Sequence, residues 1–174
     1  MINKCRQNGI RVYAEITINH MTANGDDSYD KHLNSDCSTF GPKDGSSGSP
    51  FWTVKGLYKN NTYTRLPPVI EYPAVPYFAT DFHCNEHADY DDPNTEKTNY
   101  GWYNDYVDLN TQKEYVQQRI SDFFTELISI GISGFTFNAV VNIPPSDYAS
   151  IFNKFKINLG NEFTEDLLIF MQES

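Results

Sequence analysis

Apolar and polar residues alternate most cleanly over residues 10–19. Ile10, Val12, Ala14, Ile16 and Ile18 fall on one side, and Arg11, Tyr13, Glu15, Thr17 and Asn19 on the other. A period of two is that of a strand with one buried face. The polar residues 1–8, stopped by Gly9, read as the end of a preceding helix. The periodicity is then lost over 21–107, where Gly, Ser, Asn, Asp and Pro dominate, as in the stretch 41–50. A structureless loop of this length is improbable inside a compact domain, so the segment reads as an inserted subdomain. Its second half, with Tyr72, Pro73, Ala74, Val75, Pro76, Tyr77 and Phe78, is aromatic and proline-rich enough to pack.

Regular patterning resumes at Asp108-Leu109-Asn110. Thr111 and Glu114 have the spacing of a capping box. Val116, Ile120, Phe123, Phe124 and Leu127 then recur at the helical interval until Gly131 stops the element. Residues 132–141 read as a short strand, with Phe135 and Phe137 on one face and Thr136 and Asn138 on the other. Pro144 and Pro145 precede Ser146, the expected N-cap of a helix carrying Tyr148, Ile151, Phe152 and Phe155, and residues 167–171 make a last strand. Strand, insertion, helix, strand, helix, strand is the βα alternation of a parallel sheet, either open or closed into a barrel. The chain therefore divides into a barrel segment over 1–20, an inserted domain over 21–107 and a second barrel segment over 108–174.

Composition narrows the partners. A formal net charge of -10 over 174 residues argues against nucleic acid, which requires clustered Lys and Arg. No apolar run approaches the roughly 20 residues of a membrane span, and residues 1–7 are polar rather than an apolar leader. Aromatic residues reach 15%, enough for stacking on sugar faces, although core burial is their commoner role. Cys5, Cys37 and Cys84 are an odd number whose pairing cannot be read from spacing. Asn60-Asn61-Thr62 is a lone glycosylation sequon, and the acidic runs at Asp26-Asp27 and 89–92 read as solvated loops.

The run Val12-Tyr13-Ala14-Glu15-Ile16-Thr17-Ile18-Asn19-His20-Met21 resembles the strand-three signature of the α-amylases, glycoside hydrolase family 13. The segment around Tyr72 to Tyr77, followed by Asp81-Phe82-His83-Cys84, resembles the family's domain B, and Asp108-Leu109-Asn110 its closing motif. Gly131 to Ala139 lies where the family has Gly-Phe-Arg-x-Asp-Ala, and Leu168 to Glu173 where strand five carries its catalytic glutamate. The resemblance implies a partial (β/α)8 TIM barrel, about strands three to five, with domain B inserted after strand three and the site at the C-terminal strand ends. Without 21–107 only about half the chain remains, against about 250 residues for a full barrel. Three strands cannot close, so either the chain is a truncated reading of a longer protein, or a missing barrel segment or partner chain covers the open faces.

The resemblance also assigns the chemistry. A retaining glycosidase needs two carboxyl groups about 5–5.5 Å apart, a nucleophile and a proton donor. The family's nucleophile falls at Asn138, and an amide is a poor nucleophile that cannot stabilise cationic charge as a carboxylate does. The family's neighbouring arginine falls at Thr136; without the carboxylate, a buried arginine would lack its counter-charge. Sugar-contacting positions fall at His20, Glu15, Val141 and Asn142. An ungapped match puts Gln172 in the place of the acid/base glutamate, and a one-residue shift puts Glu173 there. Asn19 and Asp108 match calcium ligands, with Asn142 offering a further oxygen, and hard oxygen donors of this kind suit Ca²⁺. The implied partner is an α-glucan or maltooligosaccharide. The implied function is an α-amylase-like protein of α-1,4-glucan metabolism, inactive or truncated as written. Two alternatives stand beside it: an active α-glucan endohydrolase when the rest of the barrel is present, and a degenerate fragment or non-catalytic glucan-binding protein.

Overall fold

Parity along the strand before Asn138 decides where the core sits. In the computed structural model Phe135 and Phe137 are fully buried while Thr136 between them turns to the other face. The structure describes residues 1–20, 32–33, 40–41, 52–53, 69–70, 77, 81–83, 87–88, 95–103 and 108–171. Outside these lie Gln172 and Glu173, Cys37 and Cys84, the sequon at Asn60, the acidic pairs at Asp26 and Asp89, and the proline-rich stretch around Tyr72 apart from Tyr77. The chain forms two compact units, Met1–Asn19 with Thr111–Ser174, and His20–Asn110.

The first unit is built on a parallel sheet of β1 (Ala14–Ile16), β8 (Gly134–Phe137) and β9 (Leu168–Met171), in the order β1-β8-β9. Ala14 stands opposite Phe135 and Ile16 opposite Phe137, while Gly134 to Phe137 pair in turn with Leu168 to Met171. Parallel neighbours need crossover connections. Here α4 (Pro145–Asn158) joins β8 to β9, and α3 (Glu114–Ser129) leads into β8. A short α1 (Ile2–Gln7) precedes β1.

The apolar stripe of α3 meets the buried face of β8 at one ring cluster. The Phe124 centroid lies 5.1 Å from that of Phe135, 5.4 Å from Phe137 and 5.5 Å from Phe155 on α4. All four rings are fully buried, and burying each contributes about 1.5–3 kcal/mol. Val116, Ile120 and Ile151 complete the layer between helices and sheet, where Asn158 Nδ2 donates to the buried Ser121 Oγ at 3.1 Å. The preference for core aromatics over exposed ones holds for this cluster.

Several element bounds differ from the sequence reading. The alternating run 10–19 is a strand only over Ala14–Ile16, because β8 offers four residues to pair with. Ser133 N still donates to Val12 O and Asn138 N to Ile16 O, so the extended conformation continues past the ladder, but Ile10 at its start is exposed. The capping box does not form: Lys113 is the N-cap of α3 and makes no side-chain cap. Thr111 Oγ1 donates instead to the buried Asp147 Oδ2 at 2.8 Å, a tertiary bond that outcompetes the local one. Ser146 does not cap α4, whose N-cap is Pro144 and whose first turn carries Pro145. Phe123 is exposed and Leu127 half-buried, since the helix stripe is centred on Val116, Ile120 and Phe124. The strand expected over 132–141 ends at Phe137, after which Val140–Asn142 forms a 3-10 turn.

The second unit carries short backbone pairings. The antiparallel pairs are β2 (His32–Leu33) with β3 (Phe40–Gly41), and β4 (Trp52–Thr53) with β5 (Val69–Ile70). The parallel pair β6 (His87–Ala88) and β7 (Trp102–Tyr103) flanks α2 (Thr95–Tyr100) in sequence. Buried Tyr77 and Phe82 meet edge to face at 6.1 Å, and Phe82 bridges to Leu109.

Candidate active site

The sheet face opposite the phenylalanine core carries the polar positions. Because β1 and β8 run parallel in register, Glu15 stands opposite Thr136, which in turn stands opposite Phe170. Asn138 follows β8 on the same parity as Thr136, and its Nδ2 donates to Glu15 Oε1 at 2.6 Å. The backbone N–H of Asn138 donates to Ile16 O at 3.1 Å, which fixes the strand end from which this side chain projects. The pair is therefore one carboxylate accepting from one carboxamide. A carboxylate at position 138 has no proton to donate and would stand against the charge of Glu15.

Two aromatic residues not singled out as site positions share this face. The Tyr13 and Phe170 rings meet edge to face at 6.2 Å, and Phe170 is half exposed. Their sequence signal was parity alone: Tyr13 is two residues from Glu15, and Phe170 is the register partner of Thr136. Arg11, again on this parity, donates through Nη2 to Asp166 Oδ1 at 2.8 Å. The neighbouring Tyr13 side chain, and then the charge of Asp166, raise the Arg11 pKa above its ordinary value.

Just beyond the strand ends the neighbours diverge. Asn19 is fully buried, and neither its amide nitrogen nor its amide oxygen has a hydrogen-bond partner among the described residues. Ala139 adopts a left-handed conformation, φ 55° and ψ 40°, and starts the 3-10 turn. Within that turn Val141 is 40% exposed whereas Asn142 is 3% exposed.

The remaining positions belong to the second unit. His20 is half-buried, and its backbone bridges to Asp108. Asp108 is buried, and its Oδ2 lies 2.6 Å from His83 Nδ1, while His83 N donates to Asp108 O at 2.9 Å. The His83 contact was not legible from spacing, because 25 residues separate the two. Glu15, Thr136 and Asn138 are thus brought together; Asn19 and Asn142 lie in the same unit, and His20 and Asp108 in the other. Among the described residues no three His, Cys, Asp or Glu side chains converge to hold a metal ion.

No protein-family model matches the chain. Among curated proteins, the α-amylase of Dermatophagoides pteronyssinus is 30% identical over 169 residues, covering 94% of this chain and 28% of that protein. Pancreatic α-amylase of Mus musculus is 30% identical over 162 residues, covering 88% of this chain and 25% of that one. Among solved structures, α-amylase I of Eisenia fetida, determined with maltohexaose, superposes with a TM-score of 0.61 at 21% identity, over 99% of this chain and 30% of that one. The chain therefore spans under a third of the length of each of these relatives. The structural likeness establishes the fold: the three-stranded parallel sheet and its helices are a partial barrel of the kind these enzymes have. By sequence and by fold, the chain is part of an α-amylase-type (glycoside hydrolase family 13) catalytic domain.

Proposed function

We propose that the chain serves α-1,4-glucan metabolism as an α-amylase-like protein whose strand-four position binds without cutting. The carrying observation is the 2.6 Å hydrogen bond from Asn138 Nδ2 to Glu15. An amide committed as donor to the neighbouring acid offers no attacking oxygen anion, and the retaining route requires one. The half-exposed Phe170 beside Tyr13 supplies an aromatic surface for a sugar ring, and the maltohexaose bound to the Eisenia relative supports an α-glucan as the ligand. The test pairs two measurements on the purified chain. Reducing-end release from starch and maltoheptaose is expected to stay at the blank, and calorimetric titration with maltoheptaose is expected to give saturable heat. Hydrolysis by a sequence-verified preparation would overturn the loss of cleavage, and absence of heat at millimolar ligand would overturn the binding.

Calcium belongs to the same proposal. A buried amide oxygen without a partner is costly unless something satisfies it, and Asn19 Oδ1 is such an oxygen. A hard cation held by amide and main-chain oxygens would satisfy it, and Asn142 is the other donor of the same unit that the resemblance assigns. Bound calcium would supply structural charge compensation rather than a reacting group. A calcium concentration of 100 times Kd is expected to stabilise the folded state by about 2.7 kcal/mol. Asn19→Ala should abolish that calcium-dependent increment, and an equal increment in the variant would remove Asn19 from the donor set.

A further inference from the structure

At the opposite end of the sheet from Asn138, the segments that lead into β1, β8 and β9 line, together with α1, a half-open cavity of about 410 Å³. Its walls are of two kinds. Ile10, Ile132 and Leu167 give it an apolar side, and Arg6, Ser133 and Thr164 a polar one. Arg11 and Asp166 also reach it, but they neutralise each other across 2.8 Å. The Arg6 side chain has no hydrogen-bond or ion-pair partner among the described residues, so the cavity rim presents one exposed, unpaired guanidinium.

Gly131 makes room for that side chain. A Cβ at this position would come within 3.0 Å of Ile2 Cγ2, 3.1 Å of Arg6 Nη1 and 3.2 Å of its Cδ, so the Ile2 and Arg6 side chains lie over the glycine and would have to shift by a few tenths of an ångström to admit it. The φ of +102° at Gly131 demands glycine independently. The last turn of α3 adjoins the cavity at Ile128, and the negative end of a helix favours a cation beside it while leaving the guanidinium N–H donors uncommitted. A purely structural role for Arg6 is the competing account.

We propose that this cavity binds a small organic monocarboxylate with an apolar body, a short chain or a single ring. The volume falls in the range of roughly 300–1,000 Å³ that ligand pockets occupy. The guanidinium fork matches a carboxylate with two parallel N–H donors, and the apolar wall covers the body. Charge selects the monoanion: one unpaired guanidinium balances one negative charge, and the second charge of a dianion such as phosphate would stay uncompensated on a chain of net charge -10. This site stands apart from the glucan reading and does not depend on it.

Amide resonances of the full chain, followed by NMR, test the proposal with benzoate, its neutral analogue benzyl alcohol, and inorganic phosphate. Benzoate is expected to shift Gly131 and Ser133 saturably, with Kd on the order of 1 mM, and Arg6→Gln to weaken it at least about ten-fold. Ser133→Ala keeps the charge and should weaken binding only a few-fold. Unchanged resonance dispersion in both variants separates lost binding from lost folding. The proposal is overturned if benzoate leaves these amides unmoved at tens of millimolar, if benzyl alcohol or phosphate binds as well, or if Arg6→Gln loses thermal stability while binding benzoate like the parent chain.

Discussion

Replacing Gly134 by alanine should damage the sheet more than any other single methyl group added to a glycine of the first unit. An ideal Cβ at this position would lie 2.0 Å from the backbone oxygen of Leu168, 2.9 Å from its carbonyl carbon and 3.0 Å from its nitrogen. Favourable contacts between heavy atoms lie at about 3.5–4.0 Å, so the methyl group intrudes by more than 1 Å. The obstacle is the backbone of β9, and no rotamer change removes it. Either β9 moves away from β8 or the ladder opens at its first residue pair, Gly134 with Leu168. Overpacking costs about 1–3 kcal/mol, and each ladder hydrogen bond lost adds about 0.5–1.5 kcal/mol. Reduced freedom of the unfolded chain returns about 0.4–1 kcal/mol. The net loss is about 0.5–4 kcal/mol, and an obstacle made of backbone places it towards the upper end; each kcal/mol lowers Tm by about 2–4 °C for a chain of this size. Thermal and urea denaturation measure the total, and hydrogen exchange at Ile169 and Phe170 locates it. Gly160→Ala is the control: its φ of +88° imposes strain of about 1–2 kcal/mol, yet a Cβ there meets nothing within 4 Å. That variant should lose some stability and leave β9 exchange as it was. A Gly134→Ala protein with parental Tm and protected β9 amides would refute the register of β8 against β9.

Asn138→Asp should restore no starch hydrolysis, because Thr136 still stands where the family's arginine would, and it should lose about 0.2–1 kcal/mol of stability at neutral pH by facing the solvent-exposed Glu15 with a like charge. The sign with pH follows from proton binding. In the variant the folded pair resists its second ionisation and so holds more protons than the unfolded chain just above the ordinary carboxylate range. Stability then falls as pH rises through that window and returns on acidification, which urea titrations at several pH values would detect; measurable turnover, or a pH-independent loss, would contradict this. Thr111→Val should cost about 1–3 kcal/mol by depriving the buried Asp147 carboxylate of its donor, whereas Ser146→Ala, which removes an exposed partner at 3.3 Å, should cost far less; equal urea midpoints would contradict the assignment. Phe124→Ala should cost about 3–5 kcal/mol, since four buried or half-buried rings close around it, and a loss below 1 kcal/mol by denaturation would show that the ring cluster is misplaced.

Much of the sheet was legible in the sequence because alternation survives wherever one face is buried. The parity of Phe135 and Phe137 against Thr136 came from that rule, and so did the opposition of Ile16 to Glu15. Hydrogen-bonded length was not legible: the alternation of 10–19 outlasts the ladder, whose extent depends on a partner more than 100 residues away. The helix starts failed for a related reason. Thr111 carries the local signal of a cap, but Asp147 claims its hydroxyl from 36 residues downstream. At the candidate site, family resemblance named Glu15 and Asn138 separately, while their direct hydrogen bond needed the register of β1 on β8. Asn19 sits on the polar parity of its run and is nonetheless fully buried, because it lies past the strand end, where the rule of alternating faces no longer applies.

The left-handed residue Ala139 has a consequence for how this chain tolerates substitution. The 3-10 turn it opens advances each side chain by about a third of a revolution, and so sends Val141 to solvent and Asn142 inward. Substitutions at these two adjacent positions therefore have unlike consequences for folding. Residue 141 can drift among polar and apolar types with little effect on folding, and so is available to whatever surface recognition later favours, while residue 142 is held by its enclosure.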